Sequence, residues 1–397
     1  MTTGMFGALF GRGDVDASDT AWLQAMLDTE AALARAAERA GLAPAGSGAA
    51  VSAVSTAEFF ENRTLGEQAA ATGNPVPALV RELTRLSGAA VHQGATSQDI
   101  LDTAAMLIAR RGIEVILADL SAAAESCAAQ ATIDAVMSGR TLLQQAVPVT
   151  FGLVAAGWLT AIDEARQTLH AVKTTRLAIQ FGGAAGTLAS LGDAGPQVAA
   201  FLAEELNLAV PVMPWHTNRL RIIEIAAALA GTCAALGKIA RDITLLAQTE
   251  VAEVRAGTGG SSTMPHKQNP VAAITVLGCT KQAPGLLSTL AAAAEQEHQR
   301  AAGAWHSEWQ PFSHLLTLTG SAASWSVELL TELEIDPPRM RANLDATHGL
   351  PLAENVTRLL TPALDRLQAH DLVAQATARA TTEDITLADA LLSNEES

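Results

Sequence analysis

The chain has 397 residues, with 25 Lys and Arg against 41 Asp and Glu for a formal net charge of −16. That surplus opposes binding to nucleic acid or to an anionic membrane surface, yet it allows an anionic small substrate in a pocket made locally positive by Arg140, Arg219, Arg221 or Lys267. Hydrophobic residues make up 49%, aromatic ones only 4%, and tyrosine is absent, so the apolar content is mostly Ala, Leu and Val and an all-α protein with a large core is expected.

No basic residue precedes Arg12 and no compact apolar block leads to a cleavage-like site, so no secretory signal is expected. The first helix is predicted from a cap at Ser18 or Asp19 to Gly41, with Trp22, Leu23, Met26, Leu27 and Leu33 at helical spacing. A Gly/Ala/Ser/Pro-rich loop over 43–50 follows, then a helix-like segment over 57–71 that ends at Gly73-Asn74-Pro75. From Ser97 onward, Ala/Leu-rich segments over 98–138, 149–175, 219–256, 270–298 and 305–333 predict long helices. A 30-residue helix spans roughly 45 Å and must be buried along its length by partners, other subunits included, so an oligomer is expected. The most membrane-like stretch, 222–240, carries Glu224 and Lys238 and is rich in Ala and Gly, which favours a buried bundle helix over a span. Pro337-Pro338 marks a boundary. The domains are therefore drawn as an N-terminal helical domain 1–97, a central long-helix bundle 98–335 and a short C-terminal helical domain 336–397.

Cys127, Cys233 and Cys279 are odd in number, far apart and without a C-x-x-C pair, which fits a reducing cytoplasm and suggests neither a disulfide framework nor a zinc cluster. His298, His306 and His314 lack metal-ligand spacing with carboxylates, and no metal motif, P-loop or dinucleotide fingerprint is present.

In Val91-His92-Gln93-Gly94-Ala95-Thr96-Ser97-Gln98-Asp99, Thr96 and Ser97 are placed at a helix N-terminus whose free N–H groups and hydroxyls suit a carboxylate; Ser97 could equally be only an N-cap. Further polar clusters stand at Gly139-Arg140-Thr141-Leu142-Leu143-Gln144-Gln145-Ala146, at Gln180-Phe181-Gly182-Gly183-Ala184-Ala185-Gly186-Thr187-Leu188 and at Pro214-Trp215-His216-Thr217. The densest is Gly260-Ser261-Ser262-Thr263-Met264-Pro265-His266-Lys267-Gln268-Asn269-Pro270. Gly257, Gly259 and Gly260 permit a loop that aims amide N–H groups at an anion. Lys267 adds a compact cation and Asn269 a neutral donor, while Pro265 and Pro270 restrict the backbone, with a helix expected after Pro270. An ordinary Gly/Ser linker is the alternative, disfavoured by the variety of chemical types in so short a run.

These stretches resemble the fumarase/aspartase superfamily, whose G-S-S-x-M-P-x-K-x-N-P signature is met at every specified position from Gly260 to Pro270, and within it the bacterial 3-carboxy-cis,cis-muconate cycloisomerases. The likeness runs from about Leu9 to about Ala380. It implies an all-helical three-domain subunit with a long central bundle, no cofactor and no metal, and a homotetramer whose active sites draw residues from three subunits. It also implies a small anionic polycarboxylate as substrate, in protocatechuate breakdown through the β-ketoadipate pathway.

Superfamily enzymes move a proton on a carbon beside a carboxylate, so the site must stabilise a dianionic aci-carboxylate. By its place in the signature Ser261 resembles the catalytic group that transfers this proton, the alternative being a hydroxyl that only bonds the loop. Lys267 and Asn269 resemble the carboxylate clamp, against a solvated lysine and a cap before Pro270. The resemblance implies substrate contacts at His92, Arg140, Thr141, Gln144, Arg219, Ser262 and Met264; Thr141 and Gln144 could instead be ordinary polar residues where a helix begins. His216 is either a substrate contact or a satisfied polar residue packed beside Trp215. Leu142 stands where members that cleave C–N or C–O bonds commonly carry histidine. Leucine transfers no proton, which suits a departing or attacking carboxylate, a group with an unperturbed pKa near 4 that needs no external acid. Gln93, where the cycloisomerases have Trp, and Asn218 with Leu220, which interrupt W-H-T-Q-R-D, depart from their pattern. The alternatives carried forward are a fumarate-releasing lyase acting on a substituted succinate with an anionic leaving group, and a non-catalytic helical scaffold.

Overall fold

Ser18 caps the first long helix: its side chain accepts a hydrogen bond from the Ala21 amide at 3.3 Å, and the helix runs Asp19–Arg39. In the computed structural model, which describes residues 4–257, 259–260, 264 and 267–393, this helix buries Leu23, Met26, Leu27 and Leu33 against the helices Ser47–Val54 and Gly195–Leu206. Each such side chain contributes about 1.5–3 kcal/mol relative to exposure. The helix Asn62–Thr72 ends where expected, on Gly73 at φ 76°. Directly after it, Pro75 introduces a helix that the sequence reading did not resolve, Val76–Ser87, closed by Gly88 at φ 63°.

Helices dominate the described residues, and the chain divides into two compact units. The first comprises Met1–Ala122, Ile162–Lys238 and Thr275–Val327; the second comprises Ala123–Ala161, Ile239–Ile274 and Glu328–Ser397. Five of the described helices, Ser97–Gln130, Phe151–Thr175, Leu220–Leu246, Val271–Thr280 and Ala304–Thr331, contribute residues to both. Leu220–Leu246 is apolar and long enough to cross a membrane by length and composition alone, but Ile222, Ile225, Leu229, Cys233 and Leu236 are buried within the chain itself, as in a bundle helix. Cys127, Cys233 and Cys279 are free and buried; burial pushes the thiols of Cys127 and Cys233 up to about 12 and raises that of Cys279.

In the second unit the structure corrects the predicted helix over 98–138, which ends at Gln130. The strands Val136–Thr141 and Gln144–Thr150 form an antiparallel hairpin instead, with an irregularity in register between Ser138 and Arg140. Val136, Val147 and Val149 favour the pleated backbone. At Gly139 a Cβ would lie 2.7 Å from the Val147 carbonyl oxygen, so the strands approach too closely for any side chain there. The predicted helix over 219–256 likewise stops at Leu246, giving way to the strand Val254–Ala256, which pairs antiparallel with Leu333–Ile335. The segment predicted as one helix over 270–298 is broken into Val271–Thr280 and Ala283–Ala292, the second begun by Pro284. As Pro337-Pro338 suggests, a new helix, Pro337–Asp345, starts there with Asp336 as its cap. Beyond it, Ala376, Ala380, Leu387 and Ala390 make a small core with Leu350, Val356 and Ile385.

Candidate active site

In the first unit the predicted residues gather around two buried carboxylates at the start of the helix Ser97–Gln130. Asp99 accepts from the amides of Gly182 (3.0 Å), Gly183 (2.9 Å) and Thr96 (3.0 Å), and lies 2.7 Å from His216 Nε2. The glycines are needed: a Cβ on Gly182 would lie 2.8 Å from Pro214 Cβ and 2.9 Å from His216 Cε1, and Gly183 adopts φ 69°. One turn on, Asp102 accepts from Arg219 Nη1 (2.7 Å) and Nη2 (3.0 Å), from Trp305 Nε1 (3.0 Å) and from Gln98 Nε2 (3.1 Å). Arg219 also donates from Nε and Nη2 to Glu308 and stacks over the Trp215 ring. Burial works to lower the pKa of Arg219, but Asp102 and Glu308 outweigh it and hold the guanidinium charged. Burial raises the pKa of Glu308, with Arg219 opposing.

Two of the predicted substrate contacts are therefore committed to the protein. His216, 4% exposed, has its Nε2 engaged by Asp99, and Arg219, 2% exposed, spends its donors on two carboxylates that a substrate would have to displace. His92, Thr96 and Ser97 do come together in one turn. His92 sits at φ 62°, its amide donating to Glu30 Oε2 at 3.1 Å and its Nδ1 lying 2.6 Å from Glu30 Oε1. Burial works to lower the imidazole pKa; the hydrogen bond and charge of Glu30, with Asp99 behind, outweigh it and raise the pKa. Ser97 opens its helix as expected, two residues before Asp99.

A residue the sequence reading missed lies beside this turn. Arg300 donates to the carbonyls of Gly183 (3.1 Å) and Ala184 (3.3 Å) and toward Gln98 Oε1 (3.4 Å), and among the described residues it meets no carboxylate. Burial lowers its pKa, opposed by Asp99 and Asp102. A part-buried, weakly held guanidinium is suited to an anion. The only signal in the chain is an arginine within the polar run Glu295-Gln296-Glu297-His298-Gln299-Arg300, which has no distinctive pattern. A cavity of about 900 Å³ in the same unit, walled by Trp22, Met26, Leu65 and Trp309, contains none of the predicted residues.

In the second unit Arg140, Thr141 and Gln144 stand on the hairpin, so the alternative that Thr141 and Gln144 lie where a helix begins does not hold. Thr141 and Gln144 form its last pair and are exposed. Between them Leu142 and Leu143 make the turn at φ 50° and 64°, with Leu142 97% exposed. Two consecutive positive φ values fit a two-residue hairpin turn, but at a steric cost leucine does not ordinarily bear. Arg140 forks onto Glu253 at 2.9 and 2.7 Å. Around the signature, Gly259 pairs with Asn269 and Gly260 with Gln268; Met264 and Lys267 are exposed, and the Lys267 amide donates to the Met264 carbonyl at 2.9 Å. Ser261 and Ser262 lie outside the described residues.

A family model described as lyase matches residues 18–285. The chain is 47% identical to a 3-carboxy-cis,cis-muconate cycloisomerase of Bradyrhizobium diazoefficiens over 92% of its own length and 84% of that protein's. It is 43% identical to a nitrosuccinate lyase of Streptomyces davaonensis over 94% and 83% of the two lengths. In fold it is similar to the crystal structure of the 3-carboxy-cis,cis-muconate lactonizing enzyme from Pseudomonas putida, with a TM-score of 0.92, 42% identity and coverage of 98% and 90%.

Proposed function

Since the chain belongs to the lyase family within the fumarase/aspartase superfamily, we propose that it is a cofactor-free cycloisomerase converting 3-carboxy-cis,cis-muconate to a carboxymuconolactone. One carboxylate of the substrate adds to the conjugated double bond, forming the ring C–O bond. The displaced electron pair moves onto the neighbouring carbon and its carboxylate as an aci-carboxylate dianion. Ser261 delivers its proton to that carbon and is reprotonated from water. Lys267, Asn269 and backbone amides of the signature stabilise the dianion. Thr96 and Ser97, at a helix N-terminus with Arg300 alongside, hold a second carboxylate, while Thr141 and Gln144 orient the chain of the diene.

The observation that carries this reading is Leu142, fully exposed at the hairpin turn between Thr141 and Gln144. The position closest in sequence to those two polar groups offers no proton, as a carboxylate nucleophile requires none. The same reading makes the protein a cytoplasmic homotetramer of three-domain subunits in protocatechuate catabolism. The bare leucines at 142 and 143 suit a neighbouring chain better than water.

A second reading, elimination from a substituted succinate, is favoured by the nitrosuccinate lyase relative and by Gln93, whose buried Oε1 has no hydrogen-bond partner where the cycloisomerases have Trp. There too the group expelled would be a stable anion. The protein is incubated separately with 3-carboxymuconate and with succinates bearing nitro or thioether substituents. Loss of diene absorbance without fumarate is expected; fumarate from a succinate, with the diene untouched, replaces the first reading by the second.

A further inference from the structure

Glu253 is completely buried, yet nothing in the chemistry above uses it. Its Oε2 accepts from Arg140 Nη1 at 2.9 Å and its Oε1 from Arg140 Nη2 at 2.7 Å, a two-bond fork, while Asn343 Nδ2 reaches the same Oε1 at 2.9 Å and the Val251 carbonyl at 2.8 Å. Its main chain is tied as firmly. The amide donates to the Leu246 carbonyl at 3.0 Å and the carbonyl accepts from the Asp336 amide at 3.0 Å. One residue thus joins the hairpin, the end of the helix Leu220–Leu246 and the start of the helix Pro337–Asp345, all in the second unit. Immediately beyond it the strand Val254–Ala256 leads into the signature, and Ser261 follows eight residues after Glu253 in sequence.

For stability alone this is an unfavourable arrangement, because apolar side chains of the same volume hold segments together without desolvating a charge. A bidentate fork has what they lack, a fixed direction and register. We infer that Glu253 is a positioning residue for the reaction: through Arg140 and Asn343 it sets where the hairpin end bearing Thr141 and Gln144 stands relative to the start of the signature. It acts on turnover and not on affinity. Arg140 is then a member of this strut and not a hand on the substrate.

The kinetic side of this inference rests on the cycloisomerase reading, and the experiment has a second arm that does not. With 3-carboxymuconate as substrate, Glu253→Gln is expected to lower kcat about 100-fold, the scale of a misplacement of roughly 1 Å, with KM within about threefold. Arg140→Met should match it, and Glu253→Asp, which keeps the charge, should recover most of the loss. If Arg140→Met instead raises KM about tenfold while Glu253→Gln is silent, Arg140 is a substrate contact and the inference fails. In the second arm, trypsin cleavage after Arg255 and Lys267 is timed without substrate. Glu253→Gln should be cut about tenfold faster than wild type, with Glu253→Asp between them. Equal rates overturn the anchor. Should wild type leave 3-carboxymuconate untouched while the cleavage rates still separate, only the functional reading falls. If Glu253→Gln does not fold, Glu253→Asp carries both arms.

Discussion

The turn around Asp99 and the end of the hairpin present their polar groups in opposite ways. Around Asp99 and Asp102, in the first unit, four charged side chains and His216 are withdrawn from water and bonded to one another, to the Trp305 indole N–H and to glycine amides. On the hairpin of the second unit, Thr141 and Gln144 stand in the open beside a bare leucine turn, while Arg140 is drawn inward onto Glu253. Buried polar groups that satisfy each other hold a shape; polar groups left facing outward have donors to give to something else. The motifs at 180–188 and 214–217 belong to the first kind: the Gly182 and Gly183 amides donate to Asp99, and His216 Nε2 meets the same carboxylate.

That contrast breaks most readily at Arg219. Removing its guanidinium in Arg219→Met leaves Asp102 and Glu308 buried without a counter-charge, so a loss of about 3–5 kcal/mol is expected in urea unfolding; a stability close to wild type would mean that the buried lattice is not structural. The other side is sharpened by Ser261→Ala, expected to lower turnover at least ~100-fold, the lower range for a positioned acid or base, with assembly and melting temperature unchanged. Turnover near that of wild type removes Ser261 from proton transfer. The smallest effect concerns His92, whose imidazole pKa is raised by Glu30 against the pull of burial. A raised folded pKa contributes stability that is fully present below the unfolded value near 6.5 and is lost as pH rises through the folded value. Melting temperature should therefore decline above that range, and Glu30→Gln should flatten the decline; a profile identical in both proteins would show that the pair does not titrate as described.

Much of the helical frame was legible because its punctuation is local. Ser18, Gly73 and Pro337 act on the residues beside them, and the structure starts or ends helices at each. The hairpin was not. Its valines sit within a chain otherwise rich in Ala and Leu, and the close approach that demands Gly139 depends on Val147, several residues away. Nor does a sequence distinguish an arginine that meets substrate from one that meets Asp102 and Glu308, since the same five donors serve both and the partners lie 117 and 89 residues distant. Arg300 escaped notice for the converse reason: among the described residues its hydrogen bonds go to carbonyls and an amide and to no carboxylate, which only three dimensions reveal.

The three thiols carry a practical consequence. A thiol pushed up to about 12, as burial does to Cys127 and Cys233, has almost no thiolate at neutral pH, and alkylating reagents attack the thiolate. With Cys279 buried as well, the folded molecule is silent to such reagents. Each label captured under native conditions then marks one excursion in which a helix came away from its neighbours, and the three positions time those excursions separately in the chain's own unmodified sequence.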